Sequence, residues 1–346
     1  MNENLSINFA GFQASSFWLW KFKEKYNIVS RKTTKLVTRH HSNHLTDLIA
    51  AATNFVCHVK GYFENYGASN IFNSDQSGFQ LELHSGRTLS HKGEKETGAL
   101  VQSISSTTHS YTIQLTISAD GQLLSPLYIV LKEVKGQLGP RVRRSVFTAP
   151  NVHIEASTSG KLTKELFRTW LTEVLFPSAP ENSVLLLDSW NGYNDEIIRN
   201  ALPEKKQLEV LTIPKSTTPL IQPLDVYGFR IWKNFARKLS DLAILLNIDI
   251  NLHARDNIIK VQSLIHNQLS AVRYKQLFQY ACYRSGYMEE RPGEFENPVE
   301  FCFTKLDGLT CFHCSNVVVL KCSWCNEHLC FSHFILEYHY CQNYVE

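Results

Sequence analysis

The chain has 346 residues, 43% of them hydrophobic, and a formal net charge of +3. That length suits two or three domains with a sizeable core, and no apolar run approaches the roughly 20 residues a membrane span requires. The N-terminus, MNENLSINFAGF, lacks a charged segment followed by an apolar one, so no secretory signal is expected, and the nine cysteines read as thiols or metal ligands rather than disulfides.

In chain order, ASSFWLWKFKEKYNIVSRK predicts a short helix after the cap candidates Ser15 and Ser16. Trp18, Leu19 and Phe22 share one face, and Lys21 and Lys25 project from the other. This region is locally basic: Lys21, Lys23, Lys25, Arg31, Lys32, Lys35 and Arg39 stand against Glu24, which suits a polyanionic partner or a solvated basic face. Residues 42–66 read as a longer helix. From about residue 70 come short strands, IFNSDQSGF, RTLSHKG, SYTIQLTISADG and SPLYIVLKE, the last two flanking Asp120-Gly121 like a hairpin. KLTKELFRTWLTEVLF is an amphipathic helix. VLLLD is a fully apolar strand, as in a sheet covered on both faces. NDEIIRNAL is a helix, LEVLTIP a strand, DVYGFRIWKNFARKLS a long helix, and residues 255–286 are helical. A boundary is expected near Arg291-Pro292-Gly293. The sum is an α/β protein: an antiparallel meander, then alternating helices and strands, then helices, with additions at both ends.

Three aspartates stand out. Asp75 lies in the first strand, Asp188 ends the buried strand VLLLD, and Asp225 opens a helix after Pro223, a residue suited to a first turn. A buried carboxylate costs several kcal/mol unless compensated. If the first and central strands are neighbours, Asp75 and Asp188 lie side by side and the helix of Asp225 caps them. Three converging carboxylates repel, and hard cations such as Mg²⁺ or Mn²⁺ relieve that repulsion. Two such ions about 4 Å apart can activate a water or a 3′-hydroxyl against a phosphodiester. On the helix after Asp225, Arg230, Lys233 and Arg237 form a basic row that either contacts phosphates or is a solvated face. Thr217, Thr218 and Gln222 shape the loop that presents Asp225.

The blocks NSDQSGF, LLLDSWNGY and IPKSTTPLIQPLD resemble the three catalytic blocks of DDE-superfamily transposases, in the pogo-like and Tc-five-type branch of Tc/mariner. The resemblance runs, in order, over residues 5–341. It implies an RNase H-like core, a mixed sheet flanked by helices, over residues 70–290. It also implies a catalytic triad of Asp75, Asp188 and Asp225 holding two Mg²⁺ or Mn²⁺ ions, and metal-dependent cleavage and strand transfer of DNA. Residues 1–41 resemble the closing part of a CENP-B-type helix-turn-helix domain, in which Lys21, Lys23, Lys25, Arg31 and Lys32 would meet phosphate; with only that part present, phosphate affinity is expected without defined register. Residues 42–69 would be a helical linker. A nuclear location follows from the DNA substrate.

The last segment, residues 291–346, is a cysteine- and histidine-rich module. Cys311-x-x-Cys314, Cys322-x-x-Cys325, Cys330-x-x-His333 and His339-x-Cys341 give eight ligands, enough for two tetrahedral Zn²⁺ sites of structural type. Interleaved pairing is expected, with the first and third pairs on one ion and the second and fourth on the other; His313 and His328 are alternative ligands. The segment also resembles the C-terminal module of Tc-five-type transposases. Within the cysteine cluster, residues 311–341, Lys321 is the one basic residue, against Glu327 and Glu337 and with Glu346 following, so the cluster is expected to serve structure, protein contacts or self-association rather than DNA reading. Two alternatives stay open: a transposase-derived DNA-binding or chromatin protein that does not cleave, and an inert product of a decayed element.

Overall fold

The computed structural model describes residues 15–28, 45–80 and 110–345, so Arg31, Lys32 and the strand expected at RTLSHKG lie outside the described residues. The chain divides into two compact units, residues 1–46 and 47–346. The first contains helix α1 (Ser16–Lys25), which begins where Ser15 Oγ accepts the Trp18 N–H at 3.2 Å, satisfying one of the donors a helix start leaves unpaired. Trp18 stacks on Phe22 at 5.0 Å, and Lys21 Nζ lies 5.0 Å above the Phe17 ring.

The second unit is built around a six-stranded sheet of order β4-β3-β2-β1-β5-β6. Its strands are β1 (Ile71–Gln80), β2 (Ser110–Ser118), β3 (Leu127–Lys132), β4 (Val152–Ser157), β5 (Asn182–Leu187) and β6 (Gln207–Thr212). β1, β2 and β3 form the antiparallel meander, while β3–β4, β1–β5 and β5–β6 pair parallel. A mixed sheet flanked by helices is what the family resemblance implies for this region. Edge strand β4 has no counterpart among the expected strands. Its sequence, VHIEAS, alternates apolar with polar residues, and the first four are half-buried.

Helices cover both faces. Successive side chains of a strand point to opposite sides, so Val184 and Leu186 of β5 enter one core and Leu185 and Leu187 the other. The first core lies under α2 (Leu45–Tyr66), α7 (Phe229–Leu245), α8 (Arg255–Leu269) and α9 (Lys275–Arg284). The second lies under α4 (Lys164–Trp170) and α5 (Asp195–Ala201). Between them in sequence fall the short helices α3 (Pro140–Ser145) and α6 (Thr218–Ile221). Trp170 and Trp232 are fully buried, one in each core, and each contributes about 2–3 kcal/mol by leaving water. Trp232 Nε1 donates to Gln262 Oε1 at 2.8 Å, and Gln262 Nε2 donates to the Tyr111 hydroxyl at 2.6 Å, which locks α7 and α8 onto β2.

A wide π turn, Leu224–Gly228, precedes α7. A Cβ on Gly228 would come within 2.8 Å of Leu224 Cδ2, so glycine is what lets the fully buried Leu224 close against its own turn.

The Pro-Gly pair at residues 292–293 lies in an irregular stretch between helices. After α10 (Pro298–Phe303), the hairpin β7 (Leu320–Lys321) and β8 (His328–Leu329) sends Leu320 and Leu329 into the same core as α7–α9. Asn267 Nδ2 donates to the Cys341 carbonyl at 2.7 Å, and the Ser323 N–H donates to Gln268 Oε1 at 2.6 Å. Arg273 donates to the Ser323 carbonyl at 2.7 Å and to the Val345 carbonyl at 2.9 Å, with its guanidinium 4.1 Å from the Phe301 ring. Among the described residues, no helix is long and apolar enough to cross a membrane.

Candidate active site and metal centres

β1 and β5 pair in parallel with Ile71 opposite Val184 and Asn73 opposite Leu186, and carrying that register two residues further sets Asp75 opposite Asp188. By alternation both carboxylates leave the sheet on the face covered by α7, the helix that Asp225 introduces. Asn73, on the same face and 2% exposed, links the pieces. Its Nδ2 donates to the Leu186 carbonyl at 3.2 Å, and its Oδ1 accepts the Leu224 N–H at 3.2 Å. The loop before Asp225 is tightened by Thr217, whose Oγ1 donates to the Pro214 carbonyl at 2.7 Å.

The three aspartates feel one another. Asp75 is buried; burial, then the negative charges of Asp225 and Asp188, push its carboxyl well above the usual range, against an opposing hydrogen bond from the Gln76 N–H at 2.8 Å. Burial also raises Asp188, opposed by the Trp190 N–H at 3.2 Å and reinforced by Asp225. Burial raises Asp225, and Lys233 opposes it. Among the described residues, the sets of metal-ligating side chains whose ligand atoms all lie within 4.8 Å of one another are two Cys/His quartets and His313–Glu327–His339. The three aspartates are not one of these sets.

Two further groups face this pocket that the sequence did not single out for chemistry. Tyr193 lies in the turn after Asp188, its ring 4.8 Å from Phe167 and 5.0 Å from Trp190, and burial followed by the charges of Asp75 and Asp188 raises its phenol well above the usual value. The Trp190 ring lies across Gly192, where any Cβ would collide with it at 2.0 Å. Gln222, fully buried, points its amide toward Asp75.

The basic row of α7 divides. Lys233 turns inward, with Nζ 5.5 Å from the Phe79 ring and 5.8 Å from Phe229. Burial and Arg237 lower its ammonium pKa while Asp225 and Asp75 oppose that shift. Arg237 donates to Asn234 Oδ1 at 2.7 Å, and Arg230 is exposed. Lys23 and Lys25 lie in the last turn of α1, with Lys25 Nζ 5.3 Å above the Tyr26 ring.

In the C-terminal module, Cys311, Cys314, Cys330 and His333 form one quartet and Cys322, Cys325, His339 and Cys341 the other. His333 Nδ1 lies 3.4 Å from Cys311 Sγ, 3.5 Å from Cys314 Sγ and 3.1 Å from Cys330 Sγ, and Cys314 and Cys330 sulfurs are 3.8 Å apart. His339 Nε2 lies 3.5 Å from Cys325 Sγ. Tetrahedral Zn²⁺ with Zn–S of about 2.3 Å and Zn–N of about 2.0 Å separates its ligand atoms by roughly 3.5–3.8 Å, so the donors fit. Burial raises the Cys311 thiol, but the backbone N–H groups of Cys330, His313 and Cys314 and the Cys330 thiol outweigh it and bring it to about 7, toward the thiolate a metal needs. His313 belongs to neither quartet; its Nε2 lies 3.6 Å from Glu327, beside His339. His328 sits in β8, also outside both.

Residues 109–266 match the DDE superfamily endonuclease family, and residues 282–341 match the Tc5 transposase C-terminal domain. Asp188 and Asp225 fall inside the first match and Asp75 before it. Tigger transposable element-derived protein 4 of Mus musculus is 26% identical over 182 residues, covering 51% of this chain and 32% of that protein, so the match spans about a third of the curated relative. Among solved structures, the Mos1 transposase paired-end complex with left transposon end is 11% identical with TM-score 0.39, over 76% of this chain and 67% of that one. The Mos1 mariner paired end complex with Mn is 9% identical with TM-score 0.41, over 80% and 72%.

Proposed function

We propose that this chain, which matches a DDE superfamily endonuclease over residues 109–266 and a Tc5 transposase C-terminal domain over residues 282–341, is a Tc/mariner-type transposase, a metal-dependent DNA endonuclease and strand transferase. The observation that carries the reading is the gathering of Asp75, Asp188 and Asp225 on one face of the sheet, each carboxyl raised by burial and two of them also by their neighbours' charge. Buried carboxylates that repel are unstable as a set without a counter-charge. Mg²⁺ or Mn²⁺, two per site, supplies that charge when bound and lends Lewis acidity to phosphodiester cleavage. Asp75 and Asp188 would hold the ions from the sheet and Asp225 from the π turn. The released 3′-hydroxyl would then attack a second DNA.

DNA would be met by Lys21, Lys23, Lys25, Arg31 and Lys32 at the N-terminus and by Arg230, Lys233 and Arg237 on α7, through phosphates. The two Cys/His quartets would each hold one structural Zn²⁺. The module would brace the fold and serve protein contacts, including self-association. A DNA substrate implies a nuclear location. The test is nicking of supercoiled plasmid by zinc-loaded protein. Cleavage should require Mg²⁺ or Mn²⁺ and vanish in Asp188→Ala, and activity unchanged by that substitution would overturn the reading.

One observation favours a second reading, a DNA-binding protein that does not cleave. Lys233 already places an ammonium in the field of Asp225 and Asp75, so part of the counter-charge is built in. DNA retention without metal-dependent nicking would select it.

A further inference from the structure

Buried polar groups in folded proteins are nearly always hydrogen-bonded, and one left unpaired asks for an explanation. Two such groups border the aspartates. The Tyr193 hydroxyl and both amide atoms of Gln222 are buried and make no hydrogen bond among the described residues. They come from opposite sides. Tyr193 reaches in from the turn after β5, where its N–H donates to the Trp190 carbonyl at 3.0 Å and the Trp190 N–H in turn donates to Asp188. Gln222 reaches in from the end of α6, three residues before Asp225, and its amide is aimed at Asp75 without closing a bond of normal geometry. Neither is a stray of the surface, for Gln222 is fully buried and the Tyr193 ring is wedged between Phe167 and Trp190. Phenylalanine and leucine would fill the same volumes with no unpaired group.

We propose that Tyr193 and Gln222 are positioning residues whose unpaired donors hold an oxygen ligand entering the aspartate site, either water or a non-bridging oxygen of a phosphodiester. This rests on the endonuclease reading above. A hydroxyl and an amide can each donate to such an oxygen while the three carboxylates, as acceptors, cannot. The arrangement therefore adds two unpaired donors beside three acceptor carboxylates.

The test uses the full zinc-loaded chain as wild type, Tyr193→Phe, Gln222→Leu and Asp188→Asn. Mn²⁺ binding is read by electron paramagnetic resonance without and with a short DNA duplex, and melting is read without divalent ions. Because the deleted groups are unpaired, both new variants should melt no lower than wild type. Each should weaken Mn²⁺ binding by about three- to tenfold, the size expected for one hydrogen bond. If the oxygen belongs to water, the loss appears without DNA; if to phosphate, only with DNA, together with a fall in kcat at unchanged KM. Wild-type Mn²⁺ binding under both conditions, or a lowered melting point with unchanged binding, would overturn the proposal alone. Wild-type Mn²⁺ binding by Asp188→Asn would overturn the metal-site reading and this proposal with it.

Discussion

Asn73 Oδ1 accepts the backbone N–H of Leu224 at 3.2 Å across 151 residues of sequence, while its Nδ2 donates to the Leu186 carbonyl. One amide thus fixes the turn that presents Asp225 to the two strands that present Asp75 and Asp188. Asn73→Ala should cost about 2–4 kcal/mol in urea unfolding, since it deletes two buried hydrogen bonds and leaves two backbone groups unpaired. Nicking should fall further than stability does, because the third carboxylate loses its tether. A variant that is destabilised but fully active would show that Asn73 only supports the fold.

Asp75 has the most raised surroundings of the three acids. A carboxyl raised in the fold takes up its proton more readily there than in the unfolded chain, so the stability tied to it is present in acid and lost as pH rises through the folded value. At neutral pH without divalent ions, Asp75→Asn should therefore melt at or above wild type, retaining the Gln76 N–H bond to Oδ1. Added Mg²⁺ should raise the wild-type melting point and leave the variant's unchanged. Equal shifts in both would mean the ion binds elsewhere.

Lys233 is the member of the basic row turned toward the acids. Lys233→Ala should weaken DNA binding and reduce the slope of log affinity against log salt by about 1, the signature of one lost phosphate contact. An unchanged slope would assign Lys233 to balancing Asp225 alone.

The quartets predict two Zn²⁺ per chain by elemental analysis. Cys330→Ser, which removes one sulfur from the set around His333, should reduce the content to one and lower the melting point. Retention of both ions would show that Cys330 is not a ligand.

His266 is fully buried, with Nε2 2.8 Å from the Leu124 carbonyl and Nδ1 3.1 Å from Asn151 Nδ2; burial drops its pKa to about 4, the Leu124 bond notwithstanding. Above pH 6.5 both folded and unfolded forms are neutral there. Between about 6.5 and about 4 the unfolded chain binds a proton that the fold refuses, so stability should fall by on the order of 3 kcal/mol and then level off. His266→Gln should flatten that window in urea titrations; an unaltered pH profile would exclude His266 as its source.

Much of this was legible because the informative residues break a local pattern. Asp188 interrupts a run of aliphatics, and eight Cys and His residues crowd one short segment in pairs whose spacing fits turn-borne ligands. Asn73 and Tyr193 break nothing. Asparagine in a strand and tyrosine after a turn look ordinary, and their importance comes from partners far away in sequence. The same holds for Asn267 and Arg273, which bind the C-terminal module to the helices.

The last turn of α8 grips in two directions. His266 holds the β2–β3 connection, and the next two residues hold Cys341 and Ser323. If the quartets hold Zn²⁺ as proposed, stripping it would therefore release one side of a clamp whose other jaw is on the sheet. On the proposed function, an EDTA control, the ordinary way to demonstrate a magnesium requirement, would then disable the protein for two unrelated reasons, and only a chelator that spares zinc could tell them apart.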